Sequence, residues 1–180
     1  MLEPTNILKF WFGEAQPEQH FKKDAAFDAL IRERFSEVHR AAARGELFEW
    51  RVVPHGRLAE IIVLDQFSRN LYRDRPQAFA CDAMALVLAQ EAVRAGADQA
   101  LEPHQRIFLY MPYMHSESRI IHAIAERLFR QPGVDANLNY ELRHKAIIDR
   151  FGRFPHRNAV LGRVATPEEQ AFLAQPDSSF

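Results

Sequence analysis

Apolar residues recur every three or four positions through most of this chain, and glycine and proline punctuate the intervals between those runs. Such spacing puts the apolar side chains on one face of a helix. Between Asp24 and Arg44, residues Phe27, Leu30, Ile31, Phe35, Val38 and Ala42 follow it, and Gly45 supplies a left-handed stop. Thr5 to Phe12 predicts a shorter helix stopped at Gly13, and Arg57 to Asn70 is apolar enough to predict a helix buried on most sides. Asp82 is placed to cap a helix through Met84, Leu86, Val87 and Leu88 that ends near Gly96.

The second half reads the same way. Pro103 opens a helix that Pro112 is expected to end, and Ser116 is expected to cap the next, with Glu117 in its first turn and Pro132-Gly133 closing it. Asn139 to Arg150 predicts a helix stopped by Gly152, and Thr166-Pro167-Glu168-Glu169 has the form of a capping box. Only Phe48 to Val53 looks extended, and it has no strand to pair with. The pattern predicts an all-α fold of seven or eight helices in a single domain, 1–180. Phe27, Leu30, Ile31, Phe35, Ile61, Leu64, Phe108 and Ile147 are expected in its core.

Composition adds bounds. A length of 180 residues suits one domain with a sizeable core, and a hydrophobic content of 47% excludes disorder as the default. Lysine and arginine number 23 against 24 acids, so the net charge of -1 speaks against nucleic acid or an acidic membrane as a general partner. Cys81 is the only cysteine, so no intrachain disulfide forms, and a reducing compartment is the simplest setting. The N-terminal apolar patch is too short and too soon broken for a signal peptide. No run approaches the roughly 20 apolar residues of a membrane span. A cytoplasmic protein is expected.

Four stretches carry more polar chemistry than their positions require. In LDQFSRN, Asp65 and Arg69 are four apart and share a helix face, while Asn70 suits a helix end. The alternative is a pocket lined by Asp65, Gln66, Arg69 and Asn70, because polar groups so close to an apolar run need partners. In MHSES, capping accounts for Ser116 and Glu117 but leaves His115 as a candidate acid, base or ligand. His144 lies near the apolar stripe of its helix, where a hydrogen-bonded core histidine is the commoner outcome.

The fourth stretch, FGRFPHRN, sets Arg153, His156, Arg157 and Asn158 on a turn stiffened by Pro155. Six basic residues lie between Arg143 and Arg163 against one acid, Asp149, a local excess of 6 - 1 = +5. The planar guanidinium suits carboxylate and phosphate, so the turn is a candidate anion site; equally, its arginines are able to pair inside the fold with Asp65, Glu117 or Asp149. No phosphate-binding glycine loop, dinucleotide turn, HExxH or CxxC occurs, and the spacing of His115, Glu117, His144 and His156 is not diagnostic of a metal. Neither cofactor nor metal is expected.

Taken together, LDQFSRN, YMPYMHSES and IIDRFGRFPHRNAVLGRVATPEEQAFL resemble a bacterial family catalogued as domain of unknown function 924, and the likeness extends to KFWFGE and FKKDAAFDALIRERF. Ser68 departs from it, standing where the family's DQFPRN has proline, and a serine there lets the helix run on more regularly. The resemblance implies antiparallel helix pairs in a tetratricopeptide-like right-handed array around a concave face. It assigns no activity.

Three readings follow. A pocket for a small anionic molecule would draw on Asp65, Gln66, Arg69, Asn70, His115, Glu117, Arg153, His156, Arg157 and Asn158. In an enzymatic version, His115, Glu117 or His156 would move protons. A peptide groove would grip an acidic segment, and an internal polar network would only fix the packing of helices.

Overall fold

The computed structural model describes residues 3–176 and residue 178, and among them every regular element is helical. The first helix, α1 (Pro4–Lys9), starts at a proline and a reciprocal Glu3–Asn6 capping box. It runs straight into a π turn, Phe10–Glu14, so Gly13 lies inside the turn instead of stopping the helix. Phe10 and Trp11 are both buried there, and that packing outweighs the glycine signal.

Helix α2 (Ala25–Ala43) is capped by the Asp24 carboxylate, which accepts from the backbone of Ala26 and Phe27, and it ends before Gly45 at φ 73°. Phe27, Ile31, Phe35, Val38 and Ala42 are buried as expected, whereas Leu30 is 39% exposed. Ile31 occupies the core-facing position of that turn, and Leu30, one residue back, is rotated off the stripe.

Phe48–Val52 is a 3₁₀ turn, not an extended segment, since without a pairing strand it closes its hydrogen bonds locally, as from Trp50 N–H to the Leu47 carbonyl. That turn lies hard against helix α3 (Pro54–Ile62). A Cβ on Gly56 would stand 1.9 Å from the Trp50 carbonyl oxygen, so only glycine fits.

Helix α3 passes through a second π turn, Val63–Phe67, into the single helical turn α4 (Ser68–Leu71). The more regular helix expected from Ser68 is therefore absent. The Ser68 hydroxyl is turned inward, donating to the Leu64 carbonyl at 2.6 Å and facing His39 Nε2 at 2.8 Å, so it braces the irregular turn.

The remaining helices are α5 (Asp82–Arg94), α6 (Pro103–Met114), α7 (Arg119–Phe129), α8 (Leu138–Phe151) and α9 (Pro167–Leu173). Asp82 is the first residue of α5 rather than its cap, and its carboxylate is taken by two arginines described below. Pro112 does not end α6, which continues to Met114. The missing N–H comes in the last turn, and residues 108–114 are all buried, so packing holds the helix through the proline.

Ser116 does not cap α7. Ser118 holds the cap position without a side-chain bond, and Glu117 lies outside the helix. Gly152 at φ 71° ends α8, and the Thr166–Glu169 capping box opens α9, both as read from the sequence.

Most of the apolar side chains, from Ile7 to Val134, form one core. Ile147, Ile148 and Phe154 form a second, smaller one, against which Phe151 and Phe172 pack. No helix among the described residues is long and apolar enough to cross a membrane.

Candidate functional site

Charged side chains link the helical body to the turn that follows α8. The π turn between α3 and α4 places Asp65 at its centre, fully buried, and α6 ends with His115 beside it. His115 Nδ1 is 2.8 Å from Asp65 Oδ1. Gln66 Nε2 donates to the other carboxylate oxygen at 2.6 Å, and Arg69 Nη1 lies 3.4 Å from Oδ1. Burial alone would raise the Asp65 pKa, but the charges of His115 and Arg69 and these hydrogen bonds outweigh it and hold the group ionised. Burial is also the main influence on His115, and it lowers that pKa against the pull of Asp65.

An ionised Asp65 accepts a hydrogen bond from Nδ1–H, which leaves Nε2 as the unprotonated nitrogen of a neutral ring. Nε2 has no hydrogen-bond partner among the described residues.

Arg69 reaches across to Asp82 with both terminal nitrogens, at 3.0 and 3.1 Å. Arg157 meets the same carboxylate at 3.2 Å and donates to the His115 carbonyl at 3.1 Å. Its guanidinium is buried between two rings, with Cζ 4.6 Å from the centroids of both Phe79 and Phe154. That accounts for Phe154 in the turn: its ring is at once part of the second core and a lid on the arginine. Burial, then the nearby Arg69, push the Arg157 pKa down to about 10, and Nε is buried with no hydrogen-bond partner. His156, on the same 3₁₀ turn, is held down to about 4 by burial and by Arg157.

A second group continues from Glu117. Its carboxylate accepts from Arg163 at 2.6 and 2.9 Å and from the backbone N–H of Phe154 at 2.7 Å. Arg163 also donates to Asn158, whose amide donates to Glu169. Arg153 forms a two-pronged pair with Glu169 at 2.6 and 2.8 Å and holds that carboxyl down to about 2. Glu169 thus serves the α9 capping box and the arginine together.

The residues singled out from the sequence therefore separate into three sets. Gln66, His115 and Arg69 meet on Asp65, and Arg69 and Arg157 meet on Asp82, with His156 next to Arg157. Glu117, Arg153 and Asn158 join Arg163 and Glu169 in the adjoining group. Asn70 goes elsewhere, donating to Asp28 at 2.8 Å. His144 is the hydrogen-bonded core histidine expected, with Nδ1 2.7 Å from the Tyr140 carbonyl and a pKa driven down to about 3 by burial. Four of the five excess charges of the 143–163 segment are met by carboxylates from outside it: Arg150 pairs with Glu168, Arg153 with Glu169, Arg157 with Asp82 and Arg163 with Glu117. Among the described residues no three His, Cys, Asp or Glu side chains are grouped so as to hold a metal ion.

Sequence reasoning missed Asp82 as the shared acceptor and missed the buried pair His122–Glu141 altogether. For Asp82 the helix-start pattern offered a sufficient use of the carboxylate. For His122 the signal was present, a histidine set among apolar residues in RIIHAIA.

Among curated proteins no match is found. A solved structure, that of a protein of unknown function from Agrobacterium tumefaciens, is 42% identical, with a TM-score of 0.90 over 95% of this chain and 96% of the other. The helical frame thus has a solved counterpart of similar length. The family model described as a bacterial protein of unknown function, DUF924, matches residues 7–177, and this chain belongs to that family.

Proposed function

We propose that this chain binds a small carboxylate- or phosphate-bearing molecule where His115, Arg69 and Arg157 meet, with His115 Nε2 as the proton acceptor of the site. The observation that carries this reading is the Asp65–His115 pair. A buried carboxylate fixes the ring through Nδ1, burial keeps the ring neutral, and Nε2 is left without a protein partner. A general base needs an oriented, neutral imidazole with one open nitrogen. Arg69 and Arg157 would hold the anionic part of the ligand. The single, buried cysteine fits a reducing, cytoplasmic setting for such a site.

A purely structural network is the second reading. It is favoured by the carboxylate partner that each of Arg69, Arg153, Arg157 and Arg163 already has. The experiment follows the His115 ring of wild type, and the backbone amides of wild type and His115→Gln, by NMR while phosphate, acetate, citrate and an acidic peptide are titrated in. Saturable shifts of the ring signals with a small anion, and weaker binding by His115→Gln, support the pocket. Shifts with the peptide alone favour a groove instead, and a ring that no probe perturbs overturns binding in favour of the network.

A further inference from the structure

The LDQFSRN motif has a second side. Asn70 turns away from His115 and donates to the buried Asp28 of α2, which also receives Arg73 through two bonds of 2.6 and 2.7 Å. The two donors fix Asp28, and Asp28 in turn fixes the plane of the Arg73 guanidinium. Beside this pair lies a recess of about 470 Å³, formed where α2 meets the end of α4 and lined by Arg32, Ser36, Leu71, Tyr72, Arg73 and Arg75.

Three guanidinium groups thus border one recess. Only Arg73 has a carboxylate. Arg32 and Arg75 are exposed and make no ion pair or side-chain hydrogen bond among the described residues. Asp74, held at φ 60° between Arg73 and Arg75, has its own exposed partner in Lys23 at 3.4 Å. Three positive charges against Asp28 leave 3 - 1 = +2 facing the recess.

This differs from the His115 seam, where arginines and carboxylates are matched. Neighbouring like charges raise one another's energy, and here Asp28 and Asp74 act on Arg73 to offset that repulsion only in part. The Ser36 hydroxyl is committed to the Arg32 carbonyl of its own helix, while the Tyr72 hydroxyl makes no hydrogen bond among the described residues and is a further donor.

We infer that this recess is a second ligand site, and that its occupant is a phosphate group, either free or as a small monoester. The charge decides the class: a phosphate carries close to two negative charges at neutral pH and offers three acceptor oxygens, which matches two unpaired guanidiniums and a third already oriented. A monocarboxylate would satisfy half that charge. Leu71 and the Tyr72 ring form an apolar wall on which the organic part of a monoester rests.

The test is a titration of wild type with inorganic phosphate, phenyl phosphate and acetate, followed by backbone amide shifts. Saturable shifts confined to residues near 32 and 71–75, with phosphate tighter than acetate, are expected. Tighter binding of phenyl phosphate than of phosphate identifies a monoester site, and the reverse identifies a site for the free ion. Arg32→Gln and Arg75→Gln, both on exposed side chains that leave the Arg73–Asp28 pair intact, should each weaken phosphate binding about tenfold. Retained circular dichroism would show that the variants fold. Acetate binding as tight as phosphate, an unchanged Kd in the double variant, or shifts centred on residues 115 and 157 instead would each overturn the inference. The last outcome would leave the His115 proposal standing.

Discussion

His122 and Glu141 face each other with no exposure to solvent, joining α7 to α8 through a 2.8 Å contact between Nδ1 and Oε1. The other ring nitrogen lies 2.8 Å from the Ser116 carbonyl, which only accepts, so Nε2 carries a hydrogen. One further proton is then shared between Nδ1 and the carboxyl. Burial raises the Glu141 pKa, and the bond to His122 opposes that rise only in part.

Glu141→Ala should therefore cost about 3–5 kcal/mol, since it strands a buried histidine. Glu141→Gln should cost less, because an amide N–H can serve Nδ1. The pH dependence has a definite sign. A folded pKa above the unfolded value gives stability that is complete below about 4.5 and is lost as pH rises through the folded pKa. The stability of Glu141→Gln relative to wild type should then improve as pH rises above that value. Urea midpoints of both proteins between pH 4 and 8 check this; a constant difference across the series would refute it.

Asp65 titrates in the opposite sense. Its folded pKa lies below the unfolded one, so its contribution is present above about pH 4 and is lost as pH falls below it. Asp65→Asn keeps an acceptor for His115 Nδ1 but removes the charge facing Arg69. It should cost about 3 kcal/mol at pH 7, and less in acid, where the unfolded wild-type chain takes up a proton that the folded carboxyl does not. Thermal unfolding of both proteins at pH 7 and pH 3 measures the convergence. An amide can present either its oxygen or its N–H to Nδ1, so the His115 ring should populate both neutral tautomers, visible in its ¹⁵N shifts.

How much of this was legible beforehand follows from the range of the signals. Helix α2 could be read nearly whole because its stripe and its terminal glycine are both local. Pro112 and Gly13 misled because each is a strong local breaker set in a segment whose neighbours are buried by distant parts of the chain. Asp65, Arg69, His115 and Arg157, singled out because too many polar groups stood next to apolar runs, do lie together. Their partners were not foreseeable: the Arg157–Asp82 bond spans 75 positions, and Arg163–Glu117 spans 46. Nothing in either local sequence encodes such pairing. Asn70 shows the same limit from the other side, as one residue after Arg69 it faces a different helix.

Arg157 offers the sharpest separation of the two readings of the seam. It is buried, it shares Asp82 with Arg69, and its guanidinium is held between Phe79 and Phe154. Arg157→Ala removes two hydrogen bonds and two ring contacts, and leaves Asp82 with Arg69 as its remaining partner. The loss of stability without ligand should be about 3 kcal/mol, below the full cost of stranding a buried charge. A network with no ligand requires nothing more. If the seam binds an anion, a ligand at 100 times its Kd adds about 2.7 kcal/mol to wild-type stability, and that increment should vanish in the variant. Urea unfolding of both proteins with and without the tightest-binding anion gives the two quantities independently. A large loss without ligand, together with no increment in wild type, leaves Arg157 as a brace between the helical body and its C-terminal turn; an increment present in wild type and absent in the variant makes it a ligand-binding residue.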